Sequence, residues 1–252
     1  MTAVVGFAGK GGVGKTSLGA LFLKSLIAGG KKAILVIDSD PNESLPVVLG
    51  IEKFVRMSDI VKGYEGKTMH PEKFAEDFET MLMMNEQGGY DIMVMGRGES
   101  DGCYCLINHL LKSTFERNIM KERSAYDFVL VDCEAGIEHI SRKTTTAIDS
   151  LVIVTDSSKS GLDTIKRIMD VSKEVKSQVR KFYVVGNKVQ SGAIGNSIRG
   201  AAASADIEYL GEIPYDPILE EFNFAGKSLL ELPEESKAYQ AVKGMAAKVL
   251  GG

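Results

Sequence analysis

The chain has 252 residues, 44% hydrophobic and 25% charged, with no tryptophan and a formal net charge of −4. That length suits one well-buried α/β domain and is short for two, so a single domain over 1–252 is expected. Lysines and arginines spread along a slightly acidic chain argue against a nucleic-acid binder, and no apolar run approaches the ~20 residues that span a bilayer. Three cysteines and no signal peptide point to a reducing cytoplasm, where thiols serve metals or catalysis more often than disulfides.

The first element is a short apolar run, Val4-Val5-Gly6-Phe7-Ala8, expected to be a buried strand. It runs into Gly9-Lys10-Gly11-Gly12-Val13-Gly14-Lys15-Thr16-Ser17, after which Leu18, Leu21, Phe22, Ser25 and Leu26 recur at helical spacing. This is the P-loop pattern in its strand–loop–helix setting. Glycines let successive backbone N–H groups turn toward a phosphate chain, and the helix N-terminus adds partial positive charge. Lys15 is expected to hold the β- and γ-phosphates and the Thr16 hydroxyl to ligate Mg²⁺. With Lys10 directly after the first glycine, the loop resembles the deviant Walker A motif of the SIMIBI-class ATPases, which include MinD, ParA, the nitrogenase iron protein and ArsA-type proteins. The resemblance implies a homodimer with two sandwiched nucleotides, in which Lys10 crosses to the partner's phosphates and stabilises developing charge.

Gly29-Gly30-Lys31 should end the first helix, and 32–38 reads as a second strand ending in Asp38-Ser39-Asp40-Pro41-Asn42. In a strand, residues i and i+2 share a face, so both carboxylates can reach a γ-phosphate and its magnesium. In the resembling family this D-x-D is the switch I region. Carried over, Asp40 activates water and Asp38 holds a magnesium-bound water; the spacing itself does not choose between them. The segment 51–90 is less regular and is expected to form surface helices and loops near the nucleotide, with Met81, Met83 and Met84 as core filler.

A third apolar run at 92–95 precedes Gly102-Cys103-Tyr104-Cys105 and a helical pattern over 106–118. In an extended or cap segment the two thiols of C-x-C point the same way. One chain then offers two thiolates, whereas Zn²⁺ or Ni²⁺ bound by sulfur takes about four, which a two-fold dimer can supply at its axis. Taken alone, C-x-C is equally well explained by two buried structural cysteines.

The run 128–131 with Asp132 has the Walker B form, followed by Cys133-Glu134-Ala135-Gly136, close to the D-x-x-A-G switch II of the same family. Asp132 is expected to bind Mg²⁺ through water, and Cys133 to be an apolar filler beneath the sheet. Strands at 151–154, 182–185 and 209–213 alternate with helical patterns at 160–175 and 236–249. The whole reads as an α/β fold with a doubly wound, mostly parallel sheet whose ligand lies at the carboxyl ends of the strands. Asn187-Lys188 stands where the family reads adenine, and Gly211-Glu212-Ile213-Pro214-Tyr215-Asp216 resembles its G-x-I-P-x-D segment, whose backbone flanks the base. These favour ATP, and no T-K-x-D motif for guanine occurs.

Residues 95–111, MGRGESDGCYCLINHLL, with 131–139, VDCEAGIEH, are similar to the CooC-type nickel-insertion ATPases and their AcsF-type relatives. That likeness implies ATP hydrolysis in a dimer, Ni²⁺ or Zn²⁺ held by Cys103 and Cys105 of both chains, and delivery of nickel to carbon monoxide dehydrogenase or the acetyl-CoA synthase complex. His109 and His139 are read as polar groups near the interface. Two rival readings share the loop. An electron-transfer ATPase like the nitrogenase iron protein places a second cysteine seven residues after the Walker B aspartate, where this chain has His139. A positioning ATPase like MinD or ParA leaves the C-x-C unexplained.

Overall fold

The computed structural model describes residues 2–64, 70–97, 126–133, 148–174 and 179–250. Seven strands form one sheet in the order β3-β2-β4-β1-β5-β6-β7. They are β1 (Ala3–Gly9), β2 (Ile34–Asp38), β3 (Asp91–Val94), β4 (Phe128–Asp132), β5 (Ser150–Thr155), β6 (Lys181–Val189) and β7 (Glu208–Pro214). Every pairing is parallel. The described helices are α1 (Lys15–Ala28), α2 (Ser44–Leu49), α3 (Met57–Lys62), α4 (Pro71–Met84), α5 (Lys159–Glu174), α6 (Gly192–Ser204), α7 (Pro217–Ala225) and α8 (Lys237–Leu250).

The strands are apolar without a break because both faces of the sheet are covered. Val5, Phe7, Ile34, Val36, Val152 and Val154 point into one core with α1, α2, α7 and α8. Their neighbours Val4, Ala8, Leu35, Ile37, Leu151 and Ile153 point into a second core with α3, α4, α5 and α6. In the first core Phe7 meets Phe22 edge to face, with ring centroids 5.0 Å apart. Helix α1 ends at Gly29, whose N–H bonds the Ser25 carbonyl, and Gly30 follows with φ +71°. Helix α8 packs on α1 and β7 and buries Tyr239, Val242 and Met245.

All seven expected strands are present, with β6 running on to carry Asn187 and Lys188 within it. The patterns over 160–175 and 236–249 are α5 and α8; the one over 106–118 lies outside the described residues. Two expectations for 51–90 are corrected. The segment packs through α3 and α4 on the second face of the sheet, and none of its described residues lines the nucleotide cavity described below. Of the three methionines only Met81 is core, because it continues the stripe of Phe74 and Phe78 at helical spacing, whereas Met83 and Met84 are 78% and 65% exposed.

One carboxylate ties the last part of the chain together. Asp216, buried between β7 and α7, accepts from the Ile218 N–H at 2.9 Å and so caps α7. It also accepts from the Ser236 hydroxyl at 2.6 Å and from the Ala238 N–H at 3.0 Å, at the start of α8. Burial alone would raise its pKa, but the Ala238, Ser236 and Ile218 donors outweigh burial and hold it below its ordinary value. A depressed folded pKa gives stability that is present above the unfolded value and lost as pH falls through the folded one. Replacing Asp216→Ala should therefore cost about 2–4 kcal/mol in urea or thermal unfolding at neutral pH. The gap to wild type should close below about pH 4.

Candidate nucleotide site

The parallel order carries the ends of β1, β2, β4, β5 and β6 to one side of the sheet, and the site forms there. The loop leaves β1 at Gly9, with φ +149°, where a Cβ would run into the Val154 carbonyl oxygen of β5. Only glycine lets the backbone pass that close. Gly14, with φ +92°, stands before α1, and a Cβ there would strike the Asn187 amide. That amide braces the loop, since Asn187 Nδ2 donates to the Val13 carbonyl at 2.7 Å. Its Oδ1 accepts from the Lys188 N–H at 2.9 Å, leaving one N–H hydrogen and one lone pair for a ligand.

Lys15 opens α1 and is buried, its Nζ 3.4 Å from the Lys10 carbonyl. Thr16 donates its hydroxyl to Asp132 Oδ2 at 2.6 Å. The other oxygen, Asp132 Oδ1, is buried with no hydrogen-bond partner. Asp132 ends β4 directly beside Asp38 at the end of β2. Asp38 is fully buried; its Oδ1 accepts from the Asp40 N–H at 3.0 Å and its Oδ2 from the Leu45 N–H at 2.9 Å. Burial, then the neighbouring Asp132 charge, pushes Asp38 up to about 7. Burial raises Asp132 to about 6, against the opposing Thr16 hydrogen bond and Lys15 charge.

A cavity of about 340 Å³ opens over the loop. Its floor is Gly11, Gly12, Gly14, Lys15, Thr16 and Ser17, and one wall is Asp40, Asn42 and Ser44. The other wall is Asn187, Lys188, Pro214, Tyr215 and Asp216, with Leu219, Glu220 and Asn223 of α7. Most site residues expected from the sequence thus surround one space. Gly9 and the buried Val13 shape the loop from behind it, and Asp38 sits beneath it. Lys10 points away, its Nζ bonding the Ser160 hydroxyl of α5 at 2.8 Å. Cys133 is the expected buried filler, its thiol pushed up to about 12 by burial and then the Asp132 charge. Cys103, Cys105, His109, Gly136 and His139 lie outside the described residues.

The wall residues of α7 were missed, because Glu220 and Asn223 gain meaning only when the helix is laid beside Lys188. Lys188 Nζ pairs with Glu220 at 2.8 Å across the rim. Asn42 and Tyr215 did carry a signal, each adjoining a motif, in D-S-D-P-N and G-E-I-P-Y-D.

The donor set suits magnesium. A partnerless buried carboxylate oxygen beside a threonine hydroxyl offers hard oxygen and uncompensated negative charge. Among the described residues no three His, Cys, Asp or Glu side chains gather into a metal cluster.

The family model for an AAA domain, AAA_31, matches residues 1–184. The chain belongs to that family. An uncharacterized ATP-binding protein of Methanocaldococcus jannaschii is 36% identical over 259 residues, covering 98% of this chain and 98% of its own. The carbon monoxide dehydrogenase accessory protein CooC of Rhodospirillum rubrum is 29% identical over 240 residues, covering 89% of this chain and 88% of its own. Among solved structures, the MinD cell division protein of Aquifex aeolicus superposes with TM-score 0.74 at 26% identity, covering 100% of this chain and 98% of that one. MinD of Pyrococcus horikoshii complexed with Mg-ADP shares the fold, with TM-score 0.70 at 23% identity over 99% and 96% of the two chains. This AAA-domain protein is a P-loop ATPase of the MinD/ParA class. Among the described residues no helix is long and apolar enough to cross a membrane.

The raised carboxylates give a pH signature. A folded pKa above the ordinary 3.8 contributes stability below that value and loses it as pH rises through the folded pKa, here about 6 for Asp132. In metal-free buffer, Asp132→Asn should gain about 2 kcal/mol on wild type between pH 5 and pH 8. Parallel thermal melts in chelator read that difference, and added magnesium nucleotide should shrink it.

Proposed function

We propose that this ATPase is a metallochaperone that works as a homodimer, hydrolysing ATP to deliver nickel to carbon monoxide dehydrogenase or the acetyl-CoA synthase complex in the cytoplasm. What supports this is the pair Cys103 and Cys105 in a G-C-Y-C segment, in a chain whose CooC relative is 29% identical over 89% of it. The whole chain acts as one P-loop domain. The loop 9–17 cradles the phosphates, with Lys15 on the β- and γ-groups. Asn187, Lys188 and Pro214 hold the base, each Asn187 amide using the hydrogen and lone pair that the loop leaves it. Thr16 and Asp132 would hold magnesium, with Asp38 behind them, and the ion when bound offsets charge on phosphate and carboxylates.

Asp40 is the group that orients water, because it alone of the two strand-end carboxylates lines the cavity; Asp38 is committed to two backbone N–H groups. Lys10 leaves Ser160 and crosses to the partner's nucleotide when two chains close. Closure brings two C-x-C pairs together, giving four thiolates for Ni²⁺ or Zn²⁺, whose binding weakens at acidic pH as the thiols protonate.

A second reading is a positioning ATPase, favoured by the superposition on MinD at 26% identity. It uses the same nucleotide switch and differs in what the switch releases, and it gives Cys103 and Cys105 no task.

Two measurements test these readings: the first checks the switch they share, and the second separates them. Lys10→Ala should bind ATP within about twofold of wild type and lose roughly a thousandfold or more in hydrolysis, the scale of an arginine finger. Full activity in that variant sinks the nucleotide-sandwich dimer. Native mass spectrometry with Ni²⁺ and Mg·ATP should give one nickel per dimer, lost in Cys103→Ser/Cys105→Ser. Metal-free dimers unchanged by the serines would instead leave a switch of the positioning kind.

A further inference from the structure

The loop that carries Asp40 is gripped from outside the cavity by two arginines. Arg56 holds Glu43 with a bidentate pair, Nε at 2.7 Å and Nη2 at 2.8 Å. Arg97, just past the end of β3, donates from Nε to the Pro41 carbonyl at 2.9 Å and from Nη2 to Asn42 Oδ1 at 3.4 Å. The same Asn42 amide donates through Nδ2 to Asp40 Oδ1 at 2.8 Å, and its backbone N–H bonds that oxygen at 2.9 Å. A neutral amide therefore stands between a permanent cation and the carboxylate that faces the nucleotide. Asp40 and Asn42 both line the cavity; Arg97 does not.

The base of Arg97 is fixed while its tip is exposed. The Met95 N–H bonds the Asp38 carbonyl at 2.9 Å, and the Met95 carbonyl accepts from the Ser58 N–H at 3.0 Å. Gly96 then turns with φ +75°, where a Cβ would collide with the Ser58 hydroxyl. If Asp40 swings toward a bound phosphate or water, Asn42 must follow it or let it go, and the contact with Arg97 changes either way.

We propose that Arg97 is a positioning residue for ATP hydrolysis: through Asn42 it orients Asp40. This rests on the reading of Asp40 given above. It does not depend on which metal the cysteines carry, or on whether they carry one.

The test uses the full chain, with Arg97→Ala and Arg97→Lys. Steady-state hydrolysis should show kcat lower by about tenfold in Arg97→Ala, with KM for ATP within about twofold, and partial recovery in Arg97→Lys. An exposed arginine should not support the fold, so the melting temperature should stay within about 2 °C. Wild-type kcat in Arg97→Ala, or a loss carried by KM with kcat unchanged, overturns the proposal. A wild-type protein that hydrolyses no ATP takes the parent reading down as well. A working ATPase that binds no nickel sinks only the metallochaperone reading and leaves the Arg97 readout decisive.

Discussion

Asp38 and Asp132 stand on adjacent parallel strands in direct register, both nearly sealed from water, at the end of the sheet where the phosphate loop begins. Burying two like charges side by side is unfavourable unless something positive or hydrogen-bonding is built around them. The chain answers with Thr16 on Asp132, Lys15 nearby, and two backbone N–H groups on Asp38. One oxygen remains unanswered. A cation bound there would complete the arrangement, so that binding and local stability would become the same quantity at this point.

The surrounding architecture serves that placement. Covering both faces of the sheet excludes water from the strand ends, and two glycines with backbone angles closed to other residues let the loop lie against β5 and Asn187. Asn187 is a structural clamp on the loop at the same time as a wall of the cavity, so loop shape and cavity shape are not independent. Lys10 rests on Ser160 within its own chain. A neutral hydroxyl is a weak hold on an ammonium group, so Lys10 is readily released.

Strands and loop were legible because each is written locally: an unbroken apolar run for a strand buried on both faces, glycines and Lys15-Thr16 for the phosphates. The carboxylates Asp38, Asp40 and Asp132 were found because they close such runs, but their different situations were not. Asp38 became a buried brace and Asp40 a cavity wall only through the turn that brings Leu45 back onto the strand end. The part of the far wall that α7 supplies was illegible, since Glu220 and Asn223 are ordinary polar residues of a helix until β6 and α7 are set side by side. The methionine cluster misled for a related reason. Composition cannot tell the inward stripe of Phe74, Phe78 and Met81 from residues at the end of α4 that face outward.

The strand order also bears on how the protein is made. β1 has no partner among its near neighbours in sequence: Ala3 pairs with Phe128 and Val5 with Ser150. During synthesis the phosphate loop leaves the ribosome well before the strands that frame it. Until β4 and β5 emerge, β1 and β2 are two apolar strands with no place between them filled. Long-range parallel pairing of this kind folds slowly and leaves such edges open to association with other chains. A nascent chain stalled before residue 150 would thus carry every residue of the loop and have no pocket to hold a nucleotide.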